Sequence, residues 1–137
     1  MLTSNNSENE IKKILHDAFG WALTKDSALF KSIFANDDDF FSIFPDSKST
    51  AIGWSQFEKF LDGWMDPRSI ATSFEIRNLR IVLSKSKEVA WFSAIVDDEG
   101  EFDGKPWGSK NIRWTGVLEK RDGGWKICQQ HLSEAND

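Results

Sequence analysis

Residues 111–133 read NIRWTGVLEKRDGGWKICQQHLS, and their pattern decides the fold. Apolar or aromatic side chains recur along two arms, separated by Asp122-Gly123-Gly124. Asp-Gly between alternating runs is a strong hairpin signal, because glycine accepts the positive φ of a tight turn. The stretch therefore predicts two antiparallel strands. A lone hairpin is not stable in water, so further strands and a helical cover must come from the residues before it.

Working backwards, residues 98–110 are polar and Gly-rich, with Pro106 and Trp107, and read as a long loop forming a rim or lid. Residues 88–97 alternate as a strand should. Val89, Trp91, Ser93, Ile95 and Asp97 share one side; Ala90, Phe92, Ala94 and Val96 share the other. Residues 70–84 form another strand whose parity changes: Phe74 and Ile76 fall on one phase, Leu79, Ile81 and Leu83 on the other. Side chains alternate strictly, so the switch predicts a bulge near Arg77-Asn78 and a bent sheet.

The first half supplies the cover. Ser7-Glu8-Asn9-Glu10 fits a capping box ahead of a helix with Ile11, Ile14, Leu15, Ala18 and Ala22 on one face, widened by Phe19 and Leu23. Asp26 or Ser27 caps a second, short helix carrying Leu29, Phe30, Ile33 and Phe34. Asn36-Asp37-Asp38-Asp39 reads as a solvated turn, since it lacks the alternating ligands and distal Glu of a calcium loop. Residues 40–44 make a short strand ended by Pro45, and residues 50–53 a return strand. Ser55-Gln56-Phe57-Glu58 fits a second capping box, for a helix with Trp54, Phe57, Phe60, Leu61 and Trp64 and a stop at Pro67. Segregated helices and strands give an α+β class: a strongly bent antiparallel sheet of four long strands, plus one or two short ones, wrapped around three helices. Residues 1–137 read as one domain, with residues 1–6 and 134–137 as polar, flexible ends.

Composition narrows the function. Seven Trp and eleven Phe, with no Tyr, provide rings for a core and for a pocket wall. A net charge of −5, with no Lys/Arg cluster longer than a pair, argues against nucleic acid and anionic membranes as partners. Cys128 is alone, so neither an internal disulfide nor a paired-Cys zinc site is available. No run approaches the roughly 18 apolar residues of a membrane span, and a soluble cytoplasmic protein is expected. Asp, Glu and His are scattered, which points to no metal, and no phosphate-binding or hydrolase motif points to a cofactor.

The chain resembles the SnoaL-like branch of the nuclear transport factor 2-like superfamily. The likeness rests on Arg113, Thr115 and Val117, on Asp122-Gly123-Gly124-Trp125-Lys126-Ile127, and on His131 and Ser133. Upstream, Phe40–Pro45 and Ile52-Gly53-Trp54 fit the short strand, return strand and helix start. The resemblance implies a cone-shaped α+β barrel around a mostly apolar pocket, and a homodimer packed sheet against sheet. Such folds isomerise ketosteroids, cyclise polyketides, dehydrate, bind small ligands or simply assemble, so the site has to choose. The aspartate that ketosteroid isomerases place before a proline corresponds here to Phe44, and their tyrosine donor is missing. That constellation is excluded.

By parity with Trp125 and Ile127, Gln129 and His131 should face the enclosed space, where His131 would act as general acid or base or as a satisfied structural histidine. His16, off the apolar stripe, should be exposed. Asp97, sharing a face with Trp91 and Ser93, is a second proton acceptor if desolvated, or an ordinary solvated carboxylate. Arg113 pairs with Asp97 or clamps an anionic ligand. Trp54, Trp64, Trp91, Ser93, Trp114 and Gln129 complete the expected pocket wall. The ligand is expected to be small and apolar or aromatic. The reaction, if any, would be a proton transfer of the isomerase, cyclase or dehydratase type; the alternative is a non-catalytic homodimeric association or ligand-binding module.

Overall fold

A computed structural model describes residues 2–137, with side chains from residue 6 onward. The elements run α1 (Leu2–Thr24), α2 (Ser27–Ile33), β1 (Phe41–Ile43), β2 (Thr50–Ile52), α3 (Trp54–Trp64), β3 (Ser69–Leu83), β4 (Val89–Phe102), β5 (Lys105–Arg121) and β6 (Gly124–Ser133). One six-stranded, curved and unclosed sheet has the order β2-β1-β6-β5-β4-β3, and the three helices cover its inner face. All neighbours are antiparallel except β1 and β6, which pair in parallel with Ser42 beside Gln130.

The 122–124 reading holds in detail. Asp122 (φ 49°) and Gly123 (φ 83°) both take positive φ, the signature of a two-residue turn matched to strand twist. Asp103 (φ 52°) and Gly104 (φ 79°) repeat it. The expected loop at 98–110 is therefore no loop. β4 runs on to Phe102, and β5 starts at Lys105.

The sheet bends at irregularities in register. One lies between Arg77 and Arg80, at the predicted place, with Asn78 at φ 54°. It brings Phe74, Ile76, Leu79, Ile81 and Leu83 to the same inner side. A second sets Val96 and Asp98 of β4 against a bulge at Lys110-Asn111 in β5. A third leaves Cys128 unpaired in β6, since Val117 faces Gln129 while Leu118 faces Ile127, and a fourth lies between Ala71 and Ser73 of β3.

Helix starts differ from the expected caps. α1 begins at Leu2, and Ser7 is buried within it; Leu2–Asn6 holds no Pro or Gly to stop the helix. Met1 lies outside the described residues. Asp26 does cap α2, its carboxylate accepting from Leu29 N–H at 3.0 Å. α3 starts one residue before Ser55, on Gly53, and Gln56 reaches back to accept from Ile52 N–H at 2.9 Å. The aspartate turn is more than solvated surface: Asp37 pairs with Arg121 and also accepts from the N–H groups of Asp39 and Phe40.

The core is aromatic. Phe57 of α3 is fully buried, with ring centres 5.4 Å from Phe30, 4.9 Å from Phe34 and 4.9 Å from Phe40. Burying one such ring contributes about 1.5–3 kcal/mol, and this cluster ties the short α2 and α3 to the sheet. Ile11 and Leu15 of α1 are buried as expected. Trp21, outside the stripe read from the sequence, is buried too and packs 4.8 Å from Phe30.

Candidate functional site

The bent sheet leaves a cavity of about 720 Å³ between α1, α3 and the far ends of the long strands. That size suits a small organic molecule. Phe19 of α1, Phe60 and Trp64 of α3, Phe44 after β1 and Trp107 of β5 supply its rings. Exposed Asp46 and Lys59 lie at its solvent side, while Lys25 donates to the Asp66 carbonyl at 2.7 Å. Trp107 lies across Gly100, its register partner on β4. A Cβ at Gly100 would come within 2.5 Å of the indole and 2.4 Å of the Ile70 carbonyl oxygen. Glycine there is what lets the indole form the wall.

Asp98 is the carboxylate of this wall. Burial pushes its carboxyl up to about 6, only partly offset by a backbone hydrogen bond from Glu99. Among the described residues, no side-chain cation pairs with it. A carboxylate so placed is half ionised near pH 6, the condition a general base requires. Gln130, Ser69 and Ser109 are the neutral polar groups on the same surface.

Most of the residues expected to form the site lie elsewhere. The bulge at Cys128 shifts the phase of β6 by one, so Gln130 and Leu132 face the helices while Gln129 and His131 face out. His131 borders only a shallow hollow with Ile43, Pro45 and Glu134. Trp91, Ser93, Asp97 and Arg113 are likewise on the outer face, because Ala90, Phe92, Ala94 and Val96 take the inner positions of β4. Desolvation of Asp97 is outweighed by its hydrogen bonds. Arg77 donates to it at 2.6 Å and Asn111 N–H at 2.9 Å, and first the Arg77 bond, then the Asn111 bond, hold its carboxyl below the usual range. Arg77, not Arg113, is thus its partner; Arg113 donates to the Glu134 carbonyl at 3.3 Å.

Trp54 packs 5.9 Å from Phe30 and Phe57, behind the cavity wall. Trp114 is fully buried between Phe19 and Phe92. Of the expected wall only Trp64 is on the cavity surface. His16 is exposed, beside Phe74 at 5.0 Å.

A family model for the SnoaL-like domain matches residues 11–137. No curated protein matches the chain. Among solved structures, a nuclear transport factor 2-like superfamily protein from Salmonella enterica shares 18% identity, with 98% of this chain and 94% of that one covered at a TM-score of 0.79. A candidate scytalone dehydratase from Novosphingobium aromaticivorans shares 18% identity over 96% of this chain and 87% of its own, also at 0.79. A hexachlorocyclohexane dehydrochlorinase, LinA type 2, shares 19% identity over 96% and 86%, at 0.76. At such identities the structures are alike in fold alone. The extent of the family match goes further: the chain belongs to the SnoaL-like domain family and carries the nuclear transport factor 2-like fold.

Proposed function

We propose that this protein binds a small apolar or aromatic molecule in the ring-lined cavity and moves a proton on it, with Asp98 as the acceptor. The reaction type is that of an isomerase, cyclase or dehydratase. The observation that carries this reading is a carboxylate with no cationic partner among the described residues, in the wall of a hollow formed by Phe19, Phe60, Trp64 and Trp107. Two of the similar folds bear names of elimination enzymes, a dehydratase and a dehydrochlorinase, which supports the same class. A base desolvated by aromatic rings loses the water that would otherwise blunt it.

5-Nitrobenzisoxazole tests the reading directly. A base removes its C3 proton, the C–H electron pair becomes part of the nitrile, and the N–O bond breaks to give a coloured phenolate. The wild-type protein is expected to accelerate this saturably, with a rate that rises as pH climbs through about 6. Asp98→Asn is expected to remove the acceleration by at least about 100-fold. An Asp98→Asn protein that keeps the wild-type rate would sink the assignment.

A second reading has its own observation. Val82, Trp91, Val117 and Gln129 lie directly opposite one another across β3, β4, β5 and β6 on the outer face. Trp91 is 47% exposed and Val82 39%. This stripe suits a second copy packed sheet against sheet, as a homodimer in the cytoplasm. Sedimentation at micromolar concentration tests it: Trp91→Lys should convert a dimer to a monomer, and a wild-type monomer would dispose of it.

A further inference from the structure

Gln130 is 5% exposed and lines the cavity. Its amide is fixed on two sides. The Trp114 indole Nε1–H donates to Gln130 Oε1 at 3.0 Å, and Gln130 Nε2 donates to Ser42 Oγ at 3.1 Å. An indole N–H can only donate, so the oxygen and nitrogen of the amide cannot exchange places. Neither anchor is loose. Trp114 and Ser42 are fully buried, the first held between Phe19 and Phe92, the second within β1.

An amide nitrogen carries two hydrogens, and Ser42 takes one. Among the described residues, Nε2 has no other acceptor. Buried donors are rarely left unmatched, and Gln130 is one of the residues lining an aromatic cavity. The matching group is a neutral acceptor on a flat ring system, since Asp98 on the same wall disfavours a second anion. We propose that the spare Nε2–H of Gln130 receives a carbonyl oxygen, and that the ligand class is therefore aromatic carbonyl compounds. This rests on the cavity being a ligand site, as argued above.

The test compares 2-acetylnaphthalene with 2-isopropenylnaphthalene, its isostere carrying C=CH₂ in place of C=O, by equilibrium dialysis. Both should bind the wild-type protein. In Gln130→Leu the ketone should lose about fivefold in affinity relative to the isostere, the worth of one net hydrogen bond. Gln130→Glu keeps an acceptor for Trp114 while removing the N–H, so it should show the same relative loss in a protein that retains the buried contact. Ser42→Ala, which loosens the amide without removing the donor, should leave the ratio within about twofold. A ratio unmoved in both Gln130 variants overturns the inference and leaves the cavity reading standing. Failure of either naphthalene to bind the wild-type protein overturns the cavity reading itself.

Discussion

Asp97 and Asp98 carry the same carboxyl on consecutive residues of β4, yet the sheet sends them to opposite worlds. Asp97 faces out, accepts from Arg77 and Asn111, and is held below the usual carboxylate range. Asp98 faces the cavity, has no cationic partner among the described residues, and is raised to about 6 by burial. Residue type and sequence neighbourhood are nearly identical, so neither explains the divergence. Strand parity does, and the bulge opposite, at Lys110-Asn111, places the Asn111 N–H where Asp97 can use it.

The largest test of that contrast is chemical. With 5-nitrobenzisoxazole, Asp97→Asn should stay within about twofold of wild type while Asp98→Asn loses at least about 100-fold. Equal losses at the two positions would erase the distinction between the faces.

The next effect is on stability, and its sign differs between the pair. Asp98 has a folded value raised above its unfolded one, so it remains protonated in the folded protein while the unfolded chain ionises. The folded state therefore weakens as pH rises from about 4 to about 6, by up to about 3 kcal/mol. Urea melts should find Asp98→Asn gaining on wild type across that window and holding the gain above it. Asp97 has a depressed value and works the other way. Its stabilisation is present above pH 4 and fades as pH falls through its folded value.

Gly100→Ala sharpens the comparison between inner and outer positions. The added Cβ meets both the Trp107 indole and the Ile70 carbonyl, so a loss of about 2 kcal/mol is expected, with altered indole fluorescence. Glu99→Ala, next door and paired with Lys110 at the surface, should change stability by no more than about 0.5 kcal/mol. Asp97→Asn weakens the outer pair with Arg77 and should also lower stability at pH 7, read from the same melts.

The sequence carried the architecture well because its signals were redundant. The bulge at Asn78 was legible: five apolar side chains, Phe74 and Ile76 before it and Leu79, Ile81 and Leu83 after it, declared the change of phase. The bulge at Cys128 was not. After it only Leu132 of the strand is apolar, and one residue cannot reveal a parity shift, so simple alternation points Gln129 and His131 inward where Gln130 and Leu132 belong. The ends of β4 and β5 were hidden for a different reason. Asp98 and Gly100 line or floor a cavity instead of filling a core, so the apolar alternation that marks a strand is missing there. The Asp103-Gly104 turn was present in the letters all along, but its flanks looked like loop. Pocket walls are where a hydrophobic pattern is least informative, and Asp98, the residue that matters most here, stood in that blind spot.

The parallel pairing of β1 with β6 has a consequence for how the molecule comes into being. Ser42 meets Gln130 across a gap of 88 residues, so a three-residue strand must wait for its neighbour until nearly all the intervening chain has been made and ordered. Closing so long a loop is entropically slow. The short edge should therefore be the last part of the sheet to lock, long after the β4–β5 hairpin has zipped around its two-residue corner.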